Sequence, residues 1–158
     1  MAVNSVSGTT SPTERVTSDA SPSPGRVTVL GSTGSVGCNT VDLLQRQPER
    51  YQIEALTAQS NVDRLAEQAR SLKPRLAVIG DAALYGALKQ ALDGTGIEAA
   101  AGKAAVVEAA HRPVDWVMAA IVGAAGLAAT LAAVRQGAIV ALANKESLVC
   151  AGSLMMAE

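Results

Sequence analysis

The chain has no phenylalanine, one tryptophan and two tyrosines in 158 residues, so its interior must be assembled from Ala, Val, Leu and Ile. An apolar share of 49% is ample for such a core and suits helices packed closely on a parallel sheet. Cysteine is nearly as scarce. Cys38 and Cys150 lie far apart, and neither belongs to a Cys-x-x-Cys or Cys/His cluster. That removes support for a disulfide framework or a structural metal and fits free, buried thiols in a reducing, cytoplasmic compartment. The sole histidine, His111, precedes Arg112 and Pro113 without a partner Ser or carboxylate, and reads as a surface residue. Charge of one sign is missing too. Thirteen Lys and Arg stand against fourteen Asp and Glu, scattered along the chain with a net charge of −1, which offers no footprint for nucleic acid or an anionic membrane. The apolar stretch 116–134 is broken by Gly123 and Gly126, so no membrane span is expected.

Residues 1–25 are rich in Ser, Thr and Pro and contain neither an apolar core segment nor a basic amphipathic helix. They read as a disordered tail, not as a signal or transit peptide. The remaining length suits one domain over 26–158, since domains usually take ~100–200 residues. Residues 153–158 stop inside a helical pattern with no cap or stop signal, as expected of the front part of a longer polypeptide.

The most informative segment is Arg26-Val-Thr-Val-Leu-Gly31-Ser-Thr-Gly34-Ser-Val-Gly37, where a buried-strand signal runs into a glycine-spaced turn and then a helix. Gly31 suits the tight turn, Gly34 lets a phosphate approach the backbone, and Gly37 lets the helix lie close to the strand. The amides of the first helical turn and the helix dipole favour an anion there. The spacing is Gly-x-x-Gly-x-x-Gly, a variant associated with NADP-dependent reductases; alone it is weak evidence, the alternative being a chance run of glycines at a strand-to-helix turn.

From Arg26 onward, β-branched runs alternate with segments of helical period, predicting an α/β, Rossmann-like, doubly wound parallel sheet with helices on both faces. Strands are expected at 27–30, 53–57, 76–79, 97–101, 116–120 and 139–143. Asn61 is a plausible N-cap for a helix whose Val62, Leu65, Ala66, Ala69 and Leu72 share one face, and Asp81 for one presenting Leu84, Leu88 and Leu92. A first helix runs from Ser35 until Pro48 stops it, a short one covers 103–110, and a later one shows Leu127, Leu131 and Val134 on its face. Asn144 then opens a last helix. Ligands bind where strand order reverses, which directs attention to the loops after strands one, two, five and six.

An NAD-preferring domain usually ends its second strand in Asp or Glu, roughly 20 residues after the glycines. Here Thr57-Ala-Gln-Ser-Asn61 offers no carboxylate to repel a 2′-phosphate, and Gln59, Ser60, Asn61 and Arg64 carry donors for one, so NADPH is favoured. Glu54, in mid-strand, reads as structural.

Three segments, Leu30-Gly-Ser-Thr-Gly-Ser-Val-Gly37, Met118-Ala-Ala-Ile-Val-Gly-Ala-Ala-Gly-Leu127 and Leu142-Ala-Asn-Lys-Glu-Ser-Leu-Val149, together resemble the 1-deoxy-D-xylulose 5-phosphate reductoisomerase family over its amino-terminal NADPH-binding domain. That resemblance implies a reductoisomerase that rearranges deoxyxylulose phosphate and reduces it with NADPH to methylerythritol phosphate, in the non-mevalonate route to isoprenoids. It implies that Thr33, Gly34, Ser35 and Val36 meet the cofactor diphosphate, Asn61 the adenosine ribose phosphate, Asn144 and Glu146 the nicotinamide end, and Lys145 the phosphorylated substrate. It also implies a homodimeric full-length enzyme whose divalent metal, Mg or Mn, and helical domain lie on later sequence, with no metal site or turnover in the present stretch alone. Many members carry Gly-Lys or Asn-Arg just before the residue matching Asn61; this chain has Gln59 and Ser60 instead.

Two alternatives stay open at this level. Another NADP-dependent oxidoreductase, of the aspartate-semialdehyde dehydrogenase type, would need a nucleophilic cysteine, and Cys150 has no neighbouring base. A non-catalytic dinucleotide-binding module would leave Lys145 and Glu146 as decoration on a helix start.

Overall fold

The computed structural model describes residues 23–143 together with Val149 and Gly152. Residues 1–22 of the tail expected over 1–25, and the segments 144–148, 150–151 and 153–158, lie outside the described residues, while Gly25, placed in that tail, already opens the first strand. Six parallel strands form one sheet: β1 (Gly25–Leu30), β2 (Tyr51–Ala58), β3 (Leu76–Ile79), β4 (Glu98–Ala101), β5 (Trp116–Ala119) and β6 (Ile139–Leu142), in the order β4-β3-β2-β1-β5-β6. The helices are α1 (Ser35–Gln45), α2 (Val62–Leu72), α3 (Tyr85–Ala91), α4 (Lys103–His111) and α5 (Leu127–Arg135). This is the doubly wound arrangement expected from the alternating pattern.

Two apolar layers flank the sheet. Val27, Val29 and Ile53 face Leu44 of α1, Leu65 and Ala69 of α2 and Leu88 of α3. On the opposite face Leu30 and Val117 meet Ala110 of α4 and Ala129 and Ala133 of α5, while Leu76 and Val78 meet Ala109. The chain winds outward from β1 to β4, crosses through α4 and resumes at β5 on the other flank of β1, so strand order reverses between β1 and β5. A crevice opens there at the carboxyl ends of the strands.

Local expectations fare differently. Asn61 caps α2 by accepting from the Arg64 amide at 3.1 Å. Asp81 caps the 3-10 turn Ala82–Leu84 that leads into α3, accepting from the Ala83 amide. The strand expected at 53–57 runs over Tyr51–Ala58, with a bulge at Glu54 across which Val27 pairs with Ile53 and Thr28 with Ala55. The buried Glu54 carboxylate bonds Arg112 at 3.3 Å, in keeping with a structural role. The expected face of α5 needs correcting. Its buried residues are Ala129, Thr130 and Ala133, whereas Leu127, Leu131 and Val134 are half-buried. Small side chains let α5 approach α4 and the sheet closely, and the larger ones flank that seam. Cys38 is likewise half-buried, not a core thiol, and Cys150 lies outside the described residues.

Candidate functional site

The turn between β1 and α1 is shaped by two glycines that no other residue can replace without movement. Gly31 has a positive φ of 79°, and a Cβ there would lie 2.9 Å from the Ala120 carbonyl at the end of β5. A Cβ on Gly37 would lie 2.1 Å from the Gly31 carbonyl oxygen and 2.6 Å from Ser32 Cα. The first turn of α1 therefore rests directly on the turn that feeds it. Gly34 differs: as N-cap it has φ −74° and ψ 171°, and a Cβ would meet only Gly31 O at an ordinary 3.5 Å. Nothing inside the protein demands a glycine there, whereas its exposed side faces the crevice.

The backbone amides of the turn divide into those that serve the fold and those that remain open. Gly31 N–H donates to Thr57 Oγ1 at 3.0 Å, Ser32 N–H to the Thr57 carbonyl at 2.8 Å, and Gly34 N–H to the Gly31 carbonyl at 3.2 Å. Gln68 of α2, itself buried, donates from Nε2 to the Ser32 carbonyl at 2.9 Å. The amides of Ser35 and Val36, at the start of α1, donate to no acceptor among the described residues. Both residues line the crevice, and α1 has neither a side-chain cap nor an acidic residue in its first turn. Open amides at the positive end of a helix are the physical requirement for holding an anion.

The crevice measures about 650 Å³, within the range of sites that hold a large cofactor. Thr33, Gly34, Ser35 and Val36 form its centre, and Asn61 its flank beyond β2 beside Ala58 and Gln59. Ala120, Ile121, Val122 and the exposed alanines 124, 125 and 128 line the side below β5 and α5, with Ala143 at the mouth of β6. The apolar side suits a flat heterocycle, and the amide-bearing centre suits phosphate. The five described residues expected at a cofactor thus converge on one cavity; Asn144, Lys145 and Glu146 lie outside the described residues.

Arg64 departs from expectation. Its guanidinium turns toward α1, with Nη1 3.6 Å from Cys38 Sγ, and it does not line the crevice. Two residues that the sequence did not single out belong to the site. Thr57 braces the turn with both its hydroxyl and its carbonyl, and Lys103, the first residue of α4, reaches the crevice wall. Thr57 was visible only as a strand-end threonine, and its partnership with Gly31 spans 26 residues. Among the described residues, no group of three or more His, Cys, Asp or Glu side chains is placed to hold a metal ion, and no helix is long and apolar enough to cross a membrane.

The sequence profile of 1-deoxy-D-xylulose 5-phosphate reductoisomerase matches residues 27–152. The enzyme of that name from Rhodospirillum centenum is 70% identical over 132 residues, covering 84% of this chain and 33% of its own. The solved structure of the Zymomonas mobilis reductoisomerase in complex with NADPH superposes with a TM-score of 0.84 at 58% identity, over 85% of this chain and 35% of that one. A reductoisomerase structure in complex with NADPH, fosmidomycin and magnesium gives a TM-score of 0.80 at 40% identity, over 84% of this chain and 33% of the other. The chain spans about a third of the length of these relatives.

Proposed function

The chain belongs to the 1-deoxy-D-xylulose 5-phosphate reductoisomerase family, and from that membership we propose that it forms the NADPH-binding part of such an enzyme. The enzyme's reaction is the rearrangement of deoxyxylulose phosphate followed by reduction to methylerythritol phosphate, in a reducing cytoplasm and as a homodimer. The observation that carries the reading is the pair of open amides at Ser35 and Val36, set in the crevice where strand order reverses. Close relatives are named as this reductoisomerase, and two solved relatives hold NADPH.

In this reading the Ser35 and Val36 amides hold the diphosphate, with Thr33 and Gly34 shaping the space around it. Asn61 retains its side-chain amide group for the adenosine ribose phosphate while its Oδ1 caps α2. The apolar wall at Ile121, Val122, Ala124, Ala125 and Ala128 excludes water from the path between coenzyme and substrate. Bound NADPH supplies the hydride. Asn144 and Glu146 orient the nicotinamide end, with Glu146 an acceptor and not a proton-transfer base. Lys145 places an ammonium beside a substrate oxygen, where it stabilises developing negative charge. No metal ligand is assigned among the described residues.

The test is calorimetric titration of the full polypeptide with NADPH, followed by an assay of NADPH oxidation dependent on deoxyxylulose phosphate. Saturable one-site binding supports the reading. Its absence from a folded protein overturns it, and binding without turnover in the full-length protein favours a non-catalytic dinucleotide module.

A further inference from the structure

Lys103 is the one charged side chain among the described residues that line the crevice; no carboxylate lines it. Its position follows from the backbone. Gly102, with a positive φ of 94°, caps α4 without a side chain, and its amide donates to the Ile79 carbonyl at 2.8 Å, tying the start of α4 to the end of β3. The residue after Ile79, Gly80, lies beneath Gln59, whose Oε1 would stand 2.6 Å from a Cβ there. Lys103 is thereby held on the side of the crevice formed by the ends of β2 and β3, together with Gln59, Asn61 and Gly80.

The placement runs against local electrostatics. A cation at the first residue of a helix opposes the macrodipole, and α4 has no acidic residue in its first turn to offset it. Lys103 is exposed and makes no ion pair among the described residues, so its ammonium is available to a ligand. With the diphosphate on α1, the adenosine half of a dinucleotide lies toward β2, and its ribose edge toward Gln59 and Asn61.

We propose that Lys103 binds the 2′-phosphate of NADPH and is the residue that sets preference for NADPH over NADH. This inference rests on the dinucleotide reading of the crevice. An ammonium on a phosphate dianion is a charge-assisted contact that NADH cannot make, so its removal acts on one coenzyme only.

The experiment is calorimetric titration of the full polypeptide, as wild type, Lys103→Ala and Lys103→Arg, with NADPH and with NADH at two salt concentrations. Circular dichroism establishes that each variant is folded. In Lys103→Ala the NADPH affinity is expected to fall about tenfold or more, as for loss of a hydrogen bond to a charged group, with NADH changed by less than about twofold. Lys103→Arg restores most of the NADPH affinity, and the salt dependence of NADPH binding is shallower in the alanine variant. An unchanged NADPH-to-NADH ratio in Lys103→Ala overturns this inference alone, whether both affinities fall together or neither moves. A folded wild type that binds neither coenzyme overturns the dinucleotide reading and this inference with it.

Discussion

Gly37 and Gly31 are in direct contact across the turn between β1 and α1: a single added carbon on Gly37 would lie 2.1 Å from the Gly31 carbonyl oxygen. The obstacle is backbone on both sides, so no side-chain rotation relieves it. Gly37→Ala is expected to cost about 3 kcal/mol or more, at the upper end of overpacking penalties, or to prevent folding. Urea denaturation measures this; a variant as stable as wild type contradicts the packing described.

Gly34 stands three residues away and has the opposite constraint. Its φ is ordinary and its Cβ position is free of close contacts, so Gly34→Ala is expected to change stability by less than about 0.5 kcal/mol. The added methyl enters the crevice, and NADPH affinity should fall by about tenfold, read by titration of the folded variant. Equal loss of stability and affinity would mean that Gly34 serves the fold.

Thr57 holds the turn from below. In Thr57→Val the shape is kept, but the Gly31 amide loses its acceptor in a part-buried setting, at a cost of about 1 kcal/mol. Because the Ser32 amide still bonds the Thr57 carbonyl, the variant should fold and bind NADPH more weakly. Denaturation and titration on the same sample check the two effects together.

At the other end of the sheet Arg112 links Glu54 and Glu98, at 3.3 Å and 3.1 Å. Burial opposes the Arg112 charge, yet its hydrogen bonds and attraction to Glu98 and then Glu54 outweigh that and raise its pKa. A raised cation contributes stability that is complete below its unfolded value and fades only as pH climbs through the folded one, so this contribution stays constant across neutral pH. Arg112→Met should cost about 3 kcal/mol, because it strands the buried Glu54 with only Arg75 at 3.8 Å, while NADPH affinity is unchanged. Thermal denaturation at pH 7 and 9 should show the same decrement at both; a decrement that disappears at pH 9 contradicts this account.

Local signals were legible in the sequence and long-range ones were not. The Asn61 cap, the strand Leu76–Ile79 and the Gly37 contact follow from short-range chemistry that each segment carries by itself. The face of α5 was not legible because, in an Ala-rich helix, closeness of approach decides which side is buried, and Leu127, Leu131 and Val134 draw the eye to the wrong one. The pairing of Glu54 with Arg112 has no local signature, since the two stand 58 residues apart. Thr57 and Lys103 were hidden for the same reason: Thr57 acquires its role only when β2 is laid beside β1, and Lys103 its place only when the start of α4 is tied to the end of β3. Arg64 had the right charge and neighbourhood, but its guanidinium turns toward Cys38.

In the proposed site the Ser35 and Val36 amides hold the coenzyme diphosphate. This contact is tested most directly by following backbone amide resonances during NADPH titration of the isotopically labelled protein. The Ser35 and Val36 signals should shift and gain protection from exchange as NADPH saturates, while those of Arg112 and Asp115, at the far end of the sheet, stay put. Saturation that leaves Ser35 and Val36 unmoved would contradict the account.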